Sequence, residues 1–95
     1  MESTVQNAQQ KVSGHDDVSV TVFSPRVPDP RQYTWPKNKV VGEAAREAAN
    51  DFGQTGGTPG FQNSEKRVLD NSKRLVAESV RDGDTLELVD TTGGV

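Results

Sequence analysis

The sequence predicts an α+β fold in which one helix packs across a single small sheet. Three patterns indicate this arrangement. Residues 18–22 alternate valine with polar residues, which is the period of a half-buried strand. Residues 38–53 carry apolar side chains at helical spacing, and residues 85–89 alternate again near the end of the sequence.

Length and composition favour one small domain. The 95 residues, 31% of them hydrophobic, suffice for a single core. We expect a disordered leader at 1–16, a folded domain at 17–90 and a flexible tail at 91–95. The net charge of −3 argues against nucleic acid as a partner, and no apolar run reaches the about 20 residues of a membrane span. The expected location is the cytoplasm.

The reactive side chains argue against an enzyme. The chain has no cysteine, and its one histidine, His15, lies in the polar leader. Disulfides, thiol nucleophiles and thiolate metal sites are therefore excluded. Asp82 and Asp84 have the spacing of a metal-ligand pair, but Asp-Gly-Asp is more typical of a turn. We expect no catalytic residue, no metal and no cofactor.

The first strand, residues 18–24, is predicted to form a hairpin with a short second strand at 32–35. Between the two lie Pro25, Pro28 and Pro30. Because proline is incompatible with a regular helix or a central strand, we expect a long loop between the two strands.

The helix is predicted to begin at Asn38 as its N-cap and to stop at Gly53, which accepts a left-handed conformation. Since the predicted buried face is mostly alanine, the helix must lie close to the sheet. That face comprises Val41, Ala45, Ala48 and Phe52.

Three further strands complete the predicted order β-β-α-β-β-β. A weak strand lies around Phe61, a short one ends at Leu69, and the last covers 85–89. The predicted core comprises Val18, Val20, Val22, Val41, Ala45, Leu69, Leu75, Val80, Leu86 and Leu88.

Five apolar residues in the last third of the chain follow the spacing L-x5-L-x4-Φ-x5-L-x-L. They are Leu69, Leu75, Val80, Leu86 and Leu88. This spacing resembles that of the ubiquitin-like β-grasp family between the fourth and last strands. The resemblance implies a β-grasp roll in which a short helical crossover lies under the sheet. The stretch "RDGDTLEL" is also similar to the bacterial sulfur carriers of thiamine and molybdopterin synthesis.

A glycine pair, Gly93 and Gly94, follows the last predicted strand and is itself followed by Val95. The pair resembles the diglycine of ubiquitin-like modifiers, whose backbone enters narrow active sites because glycine lacks a Cβ. The proline-rich connection and the "TGGTPG" stretch look more like the prokaryotic ubiquitin-like proteins. Those are found beside homologues of an activating enzyme and a conjugating enzyme, and beside a JAB-type zinc peptidase.

The resemblance implies a protein modifier. An adenylating activating enzyme would activate the Gly94 carboxylate, a conjugating enzyme would carry it, and target proteins would receive it on amines as isopeptide bonds. Because a peptide bond joins Gly94 to Val95, a peptidase must first remove Val95. Two alternatives stay open: a sulfur carrier with a thiocarboxylate at Gly94, and an adaptor that is never conjugated.

The expected surface for these partners comprises four residues. Phe23 is out of phase with the inward valines, and the others lie on or after the last strand. The four are Phe23, Leu88, Thr91 and Thr92.

Overall fold

The structure is a computed structural model that describes residues 16–54 and 56–91. These residues form four strands and one α-helix, with a short 3-10 helix, Val76–Glu78, ahead of the last strand. The elements are β1 (Asp17–Ser24), β2 (Val27–Pro36), α1 (Val41–Asp51), β3 (Pro59–Gln62) and β4 (Thr85–Asp90).

All four strands belong to one sheet in the order β2-β1-β4-β3. The two interior strands, β1 and β4, run parallel, and each outer strand pairs antiparallel with its neighbour. The buried side of α1 joins the same core as the inward residues of the sheet. A mixed sheet crossed by one helix confirms the predicted α+β fold class.

The connection between β1 and β2 differs from the prediction. Only Pro25 and Arg26 separate the two strands, so the expected long loop is wrong. Pro28 and Pro30 lie inside β2. β2 accepts them because it is an edge strand, where alternate N–H groups have no neighbouring strand to bind.

Two aromatic side chains of β2 attach this edge strand to the helix. Trp35 is 4% exposed and stacks on Tyr33 with 4.6 Å between the ring centroids. The Trp35 indole N–H donates to Glu47 at 3.3 Å, and the Tyr33 hydroxyl donates to Asp51 at 2.8 Å. Both acceptors lie on α1, so the edge strand is held by side chains as well as by the sheet.

The helix begins at Val41, and the prediction of Asn38 as its N-cap is wrong. No side chain caps this end. Instead, the Val41 N–H donates to the carbonyl of Lys73 at 2.8 Å and the Gly42 N–H to that of Asn71 at 3.0 Å. Backbone carbonyls of a distant segment thus satisfy the free N–H groups that a side-chain cap would otherwise bind.

The helix ends as predicted. Gly53 has a φ of 73°, and its N–H donates to the carbonyl of Asn50 at 3.1 Å. The predicted inward face is buried as well, and two more alanines extend it. The buried residues are Val41, Ala44, Ala45, Ala48, Ala49 and Phe52.

The predicted core is confirmed in full. Each of its ten residues is at most 5% exposed, and Phe61 and Trp35 join them. No helix within the described ranges is long and apolar enough to cross a membrane.

The predicted strand that ends at Leu69 is reduced to one bridge between Gln62 and Val68. A tight turn precedes it, in which the Asn63 N–H donates to the carbonyl of Arg67 at 2.9 Å. The Leu69 N–H donates to the carbonyl of Phe61 at 2.8 Å, but the pairing with β3 does not extend into a ladder. Leu69 nevertheless reaches the core, as predicted.

The Asp-Gly-Asp stretch forms the predicted turn. Asp82 accepts a hydrogen bond from the Ser19 N–H at 2.8 Å, and Asp84 accepts one from the Arg81 N–H at 2.9 Å. Gly83 between them has a φ of 87°. Both carboxylates therefore hold backbone groups, and this turn starts β4 alongside β1. Among the described residues, no cluster of three possible metal ligands occurs.

Candidate functional site

The candidate site lies at the end of β4, around Thr91, which is the last residue that the structure describes. The ladder between β3 and β4 finishes with the pair Pro59 and Asp90. Thr91 extends this pairing beyond the strand, because its N–H and its Oγ1 both donate to the carbonyl of Thr58, at 2.8 and 2.9 Å. The sheet therefore holds the chain as far as Thr91.

The carboxylate of Asp90 faces the turn that precedes β3. Its Oδ1 accepts a hydrogen bond from the Thr58 N–H at 3.1 Å. Gly57 has a φ of 68°, and a Cβ at this position would overlap the Asp90 carboxylate. Only glycine satisfies both the backbone conformation and the space. We call Gly57, Thr58, Asp90 and Thr91 the strand-end cluster.

Asn71 supports the strand-end cluster from the neighbouring segment. Its Nδ2 donates to the carbonyl of Pro59 at 3.1 Å, while its Oδ1 is buried and has no hydrogen-bond partner among the described residues. A Cβ on Gly60 would lie 2.7 Å from the Thr91 methyl group and 3.3 Å from the Asn71 Oδ1. Because Gly60 has no Cβ, the side chains of Thr91 and Asn71 can both pack against its backbone.

The sheet face opposite α1 is mostly polar. Gln62 donates to Glu87 at 3.3 Å across β3 and β4, and the hydroxyls of Ser19 and Thr34 lie 3.0 Å apart across β1 and β2. Phe23 is half-buried on this face, where the register of β1 against β2 shifts. It is paired with Glu87 in the parallel ladder.

The structure separates the residues predicted to bind partners. Phe23 lies on the outer face and Thr91 at the strand end, about 13 Å apart along β4 at roughly 3.3 Å per residue. Leu88 is 2% exposed, so its assignment to a docking surface is wrong. The alternation of β4 turns Leu86 and Leu88 toward the core. Thr92, Gly93, Gly94 and Val95 lie outside the described residues.

The sequence did not predict the contacts of the strand-end cluster. The stretch "TGGTPG", residues 55–60, stands out in the sequence only for its resemblance to prokaryotic ubiquitin-like proteins. The local sequence signal for this turn is the pair Gly56 and Gly57, and in the structure both residues have a positive φ. Thr58 and Thr91 are 33 residues apart, so no local periodicity relates them.

Comparison with known proteins was made at the level of sequence and of structure. No protein-family model matches the sequence, and no curated protein matches it. Ubiquitin from Caldiarchaeum subterraneum is similar in structure, with a TM-score of 0.68 and 19% identity, covering 83% of this chain and 99% of that chain.

Two other solved structures give the same result. The ubiquitin-like domain from tubulin-binding cofactor B has a TM-score of 0.66 and 20% identity, covering 83% of this chain and 94% of that one. A protein designed on the basis of ubiquitin has a TM-score of 0.68 and 14% identity, and the match covers 81% of this chain and 92% of the designed one. The chain therefore has the ubiquitin-like β-grasp fold, which confirms the predicted resemblance at the level of the fold.

Proposed function

We propose that this protein is a ubiquitin-like modifier whose Gly94 carboxylate is activated and joined to amines of target proteins. One observation carries the proposal: Thr91 directly follows the interior strand β4 and is still bound to the sheet, and Thr92, Gly93 and Gly94 come next in the sequence. The likeness to Caldiarchaeum subterraneum ubiquitin supports it, because the shared fold covers 99% of that chain.

The length of chain after Thr91 suits this role. The three residues 92–94 reach about 10 Å when extended. Two of them are glycines, which lack a Cβ and so allow the backbone to pass a narrow channel. The acyl end would enter the active site of a partner while the folded domain stays outside.

The proposed chemistry proceeds by four nucleophilic steps. A Gly94 carboxylate oxygen attacks the α-phosphorus of ATP, and pyrophosphate leaves. A thiolate of the activating enzyme then attacks the acyl carbon of the adenylate, and AMP leaves. After exchange onto the thiol of a conjugating enzyme, a target amine attacks the thioester, loses a proton to solvent and displaces the thiol. Every nucleophile after the carboxylate belongs to a partner or a target, so the protein acts as a substrate and not as an enzyme.

Processing precedes activation in this proposal. Gly94 is joined to Val95 by an amide bond, and hydrolysis of that bond releases the Gly94 carboxylate and the amine of Val95. A JAB-type zinc peptidase is the proposed agent. We place the protein with the prokaryotic ubiquitin-like proteins and in the cytoplasm, where ATP is available for activation.

The proposed surface for the activating enzyme is the end of the sheet together with its outer face. Thr91 and Thr92 lead the diglycine into the active site, and Phe23 contributes apolar area on the outer face. Leu88 has no part in it, because its side chain is in the core.

The test compares chains that differ only at the diglycine. A chain ending at Gly94 is incubated with ATP and an activating enzyme purified from the same cells on the immobilised protein. We expect adenylation and, with the conjugating enzyme, products that survive reductant. A chain that retains Val95 should not react until a peptidase is added. Gly94→Ala in the chain ending at residue 94 is the matched control and should lose most of the transfer while keeping the fold.

Each alternative gives a different result in this assay. Replacement of one terminal oxygen by sulfur, read by mass, identifies a sulfur carrier. Binding to a partner that persists without residues 92–95 and gives no ATP-dependent product identifies an adaptor. Conjugation with Val95 still attached would contradict the processing step.

A further inference from the structure

We propose that the strand-end cluster is a positioning device for the tail: it holds Asp90 and Thr91 on the sheet so that the activating enzyme has to order only the residues beyond them. This inference rests on the proposed function. It concerns Gly57, Thr58, Asp90 and Thr91, which do not themselves react.

Both backbone groups of Thr58 are used to hold the end of β4. Its N–H donates to the Asp90 carboxylate at 3.1 Å, and its carbonyl accepts two hydrogen bonds from Thr91, at 2.8 and 2.9 Å. Thr58 and Asp90 are exposed, and Thr91 is half-buried. Because Thr58 and Asp90 are exposed, we infer that these hydrogen bonds and the fit at Gly57 contribute to holding the start of the tail on the sheet.

The strand-end cluster sets the number of residues between the sheet and the Gly94 carboxylate. With Asp90 and Thr91 held, the three residues 92–94 reach about 10 Å, whereas release of both gives five residues that reach about 17 Å. Ordering one backbone residue weakens an association by roughly a factor of ten. A released tail would therefore bind the activating enzyme more weakly, although its chemistry at Gly94 would be unchanged.

Gly56 and Gly57 offer a matched pair of substitutions. Both have a positive φ, of 83° and 68°, so alanine strains the backbone at either position. A Cβ at Gly56 meets nothing within 4 Å, whereas a Cβ at Gly57 overlaps the Asp90 carboxylate. Gly57→Ala should displace Asp90, and Gly56→Ala should report the backbone strain alone.

The experiment measures the cluster and its effect separately. Hydrogen exchange of the Thr91 amide, measured on the protein alone, reports whether the bond from Thr91 to the Thr58 carbonyl is formed. ATP–pyrophosphate exchange with the activating enzyme and chains ending at Gly94 gives KM and kcat. For Gly57→Ala we expect faster exchange at Thr91 and a rise in KM of about tenfold for each residue released, which is up to about a hundredfold if both Asp90 and Thr91 are released, with kcat within about twofold. Gly56→Ala should leave both near the wild-type values.

Asp90→Ala is the second variant, because it removes the acceptor for the Thr58 N–H without adding volume. Like Gly57→Ala, it should speed hydrogen exchange at the Thr91 amide and raise the KM. Faster exchange at Thr91 with an unchanged KM would overturn the proposal, as would an equal rise in KM for Gly56→Ala. If the wild-type chain shows a protected Thr91 amide but is never adenylated, the proposed function fails, and this inference fails with it.

Discussion

Tyr33 is the only tyrosine of the chain, and its hydroxyl donates to Asp51 across the gap between β2 and α1. Burial, followed by the hydrogen bond to Asp51 and its charge, raises the pKa of Tyr33 well above its ordinary value. Because the folded-state pKa is the higher one, the stabilisation is present below about pH 10 and is lost as the pH rises toward and through the folded pKa. We expect the free energy of unfolding to fall with pH in this range, and to fall less in Tyr33→Phe.

Tyrosinate absorbance gives the direct measurement, since no other tyrosine contributes to it. The folded protein should titrate at a higher pH than the protein unfolded in urea. Equal titration midpoints in the two states would contradict the assigned contact with Asp51.

Leu86 is the clearest single contribution to the core. It is 1% exposed on the interior strand β4, whereas Val76, on the short 3-10 helix, is 53% exposed. We expect Leu86→Ala to lower the free energy of unfolding by about 2–5 kcal/mol. Val76→Ala is the surface control and should change it by less than about 0.5 kcal/mol. Urea unfolding of both variants measures the difference, and similar losses would contradict the assigned core.

At the scale of elements, the start of α1 depends on the carbonyls of Asn71 and Lys73. Asn38→Ala should change the free energy of unfolding by less than about 0.5 kcal/mol, below the about 1 kcal/mol typical of a lost N-cap. The Asn38 carbonyl accepts a hydrogen bond from the Arg74 guanidinium at 2.7 Å, and alanine keeps that carbonyl.

Gly42→Ala tests the same contact from the helix side. A Cβ here would lie 3.0 Å from the Asn71 carbonyl oxygen and 3.2 Å from the Asn71 Cβ. That segment has little freedom to move, because Asn71 also binds Pro59. We therefore expect a loss of about 1 kcal/mol, although alanine normally favours a helix over glycine by a similar amount. Urea unfolding measures it, and a more stable Gly42→Ala variant would refute the assignment.

At the scale of the whole molecule, the parallel pairing of β1 with β4 joins segments from the two ends of the described chain. Val22 is paired with Leu86, and Trp35 from one edge strand lies 5.9 Å from Phe61 of the other, measured between ring centroids. We expect one cooperative unfolding transition, with the same midpoint by Trp35 fluorescence and by far-UV circular dichroism. A chain cut after Asp84, which lacks β4, should not fold. Two separate midpoints would contradict a single core.

The sequence by itself determined the faces of the elements and the local turns. Patterns within about ten residues predicted four features: the burial of the alternating valines, the alanine face of α1, the end of the helix at Gly53 and the turn at Asp82. The five-position leucine and valine spacing also led to the correct fold. Of the candidate site, the sequence indicated the position of Thr91 after the last strand and the diglycine beyond it.

Only the tertiary structure decided how the ends of the elements are held. Lys73 and Asn71 replace the expected cap of α1, and β2 accepts two prolines because it lies at the edge of the sheet. The strand-end cluster likewise depends on Thr58 meeting Thr91. The physical reason is the same in each case. A backbone N–H or carbonyl at the end of an element can be satisfied by any segment that folding brings within reach, and local sequence does not specify which segment that will be.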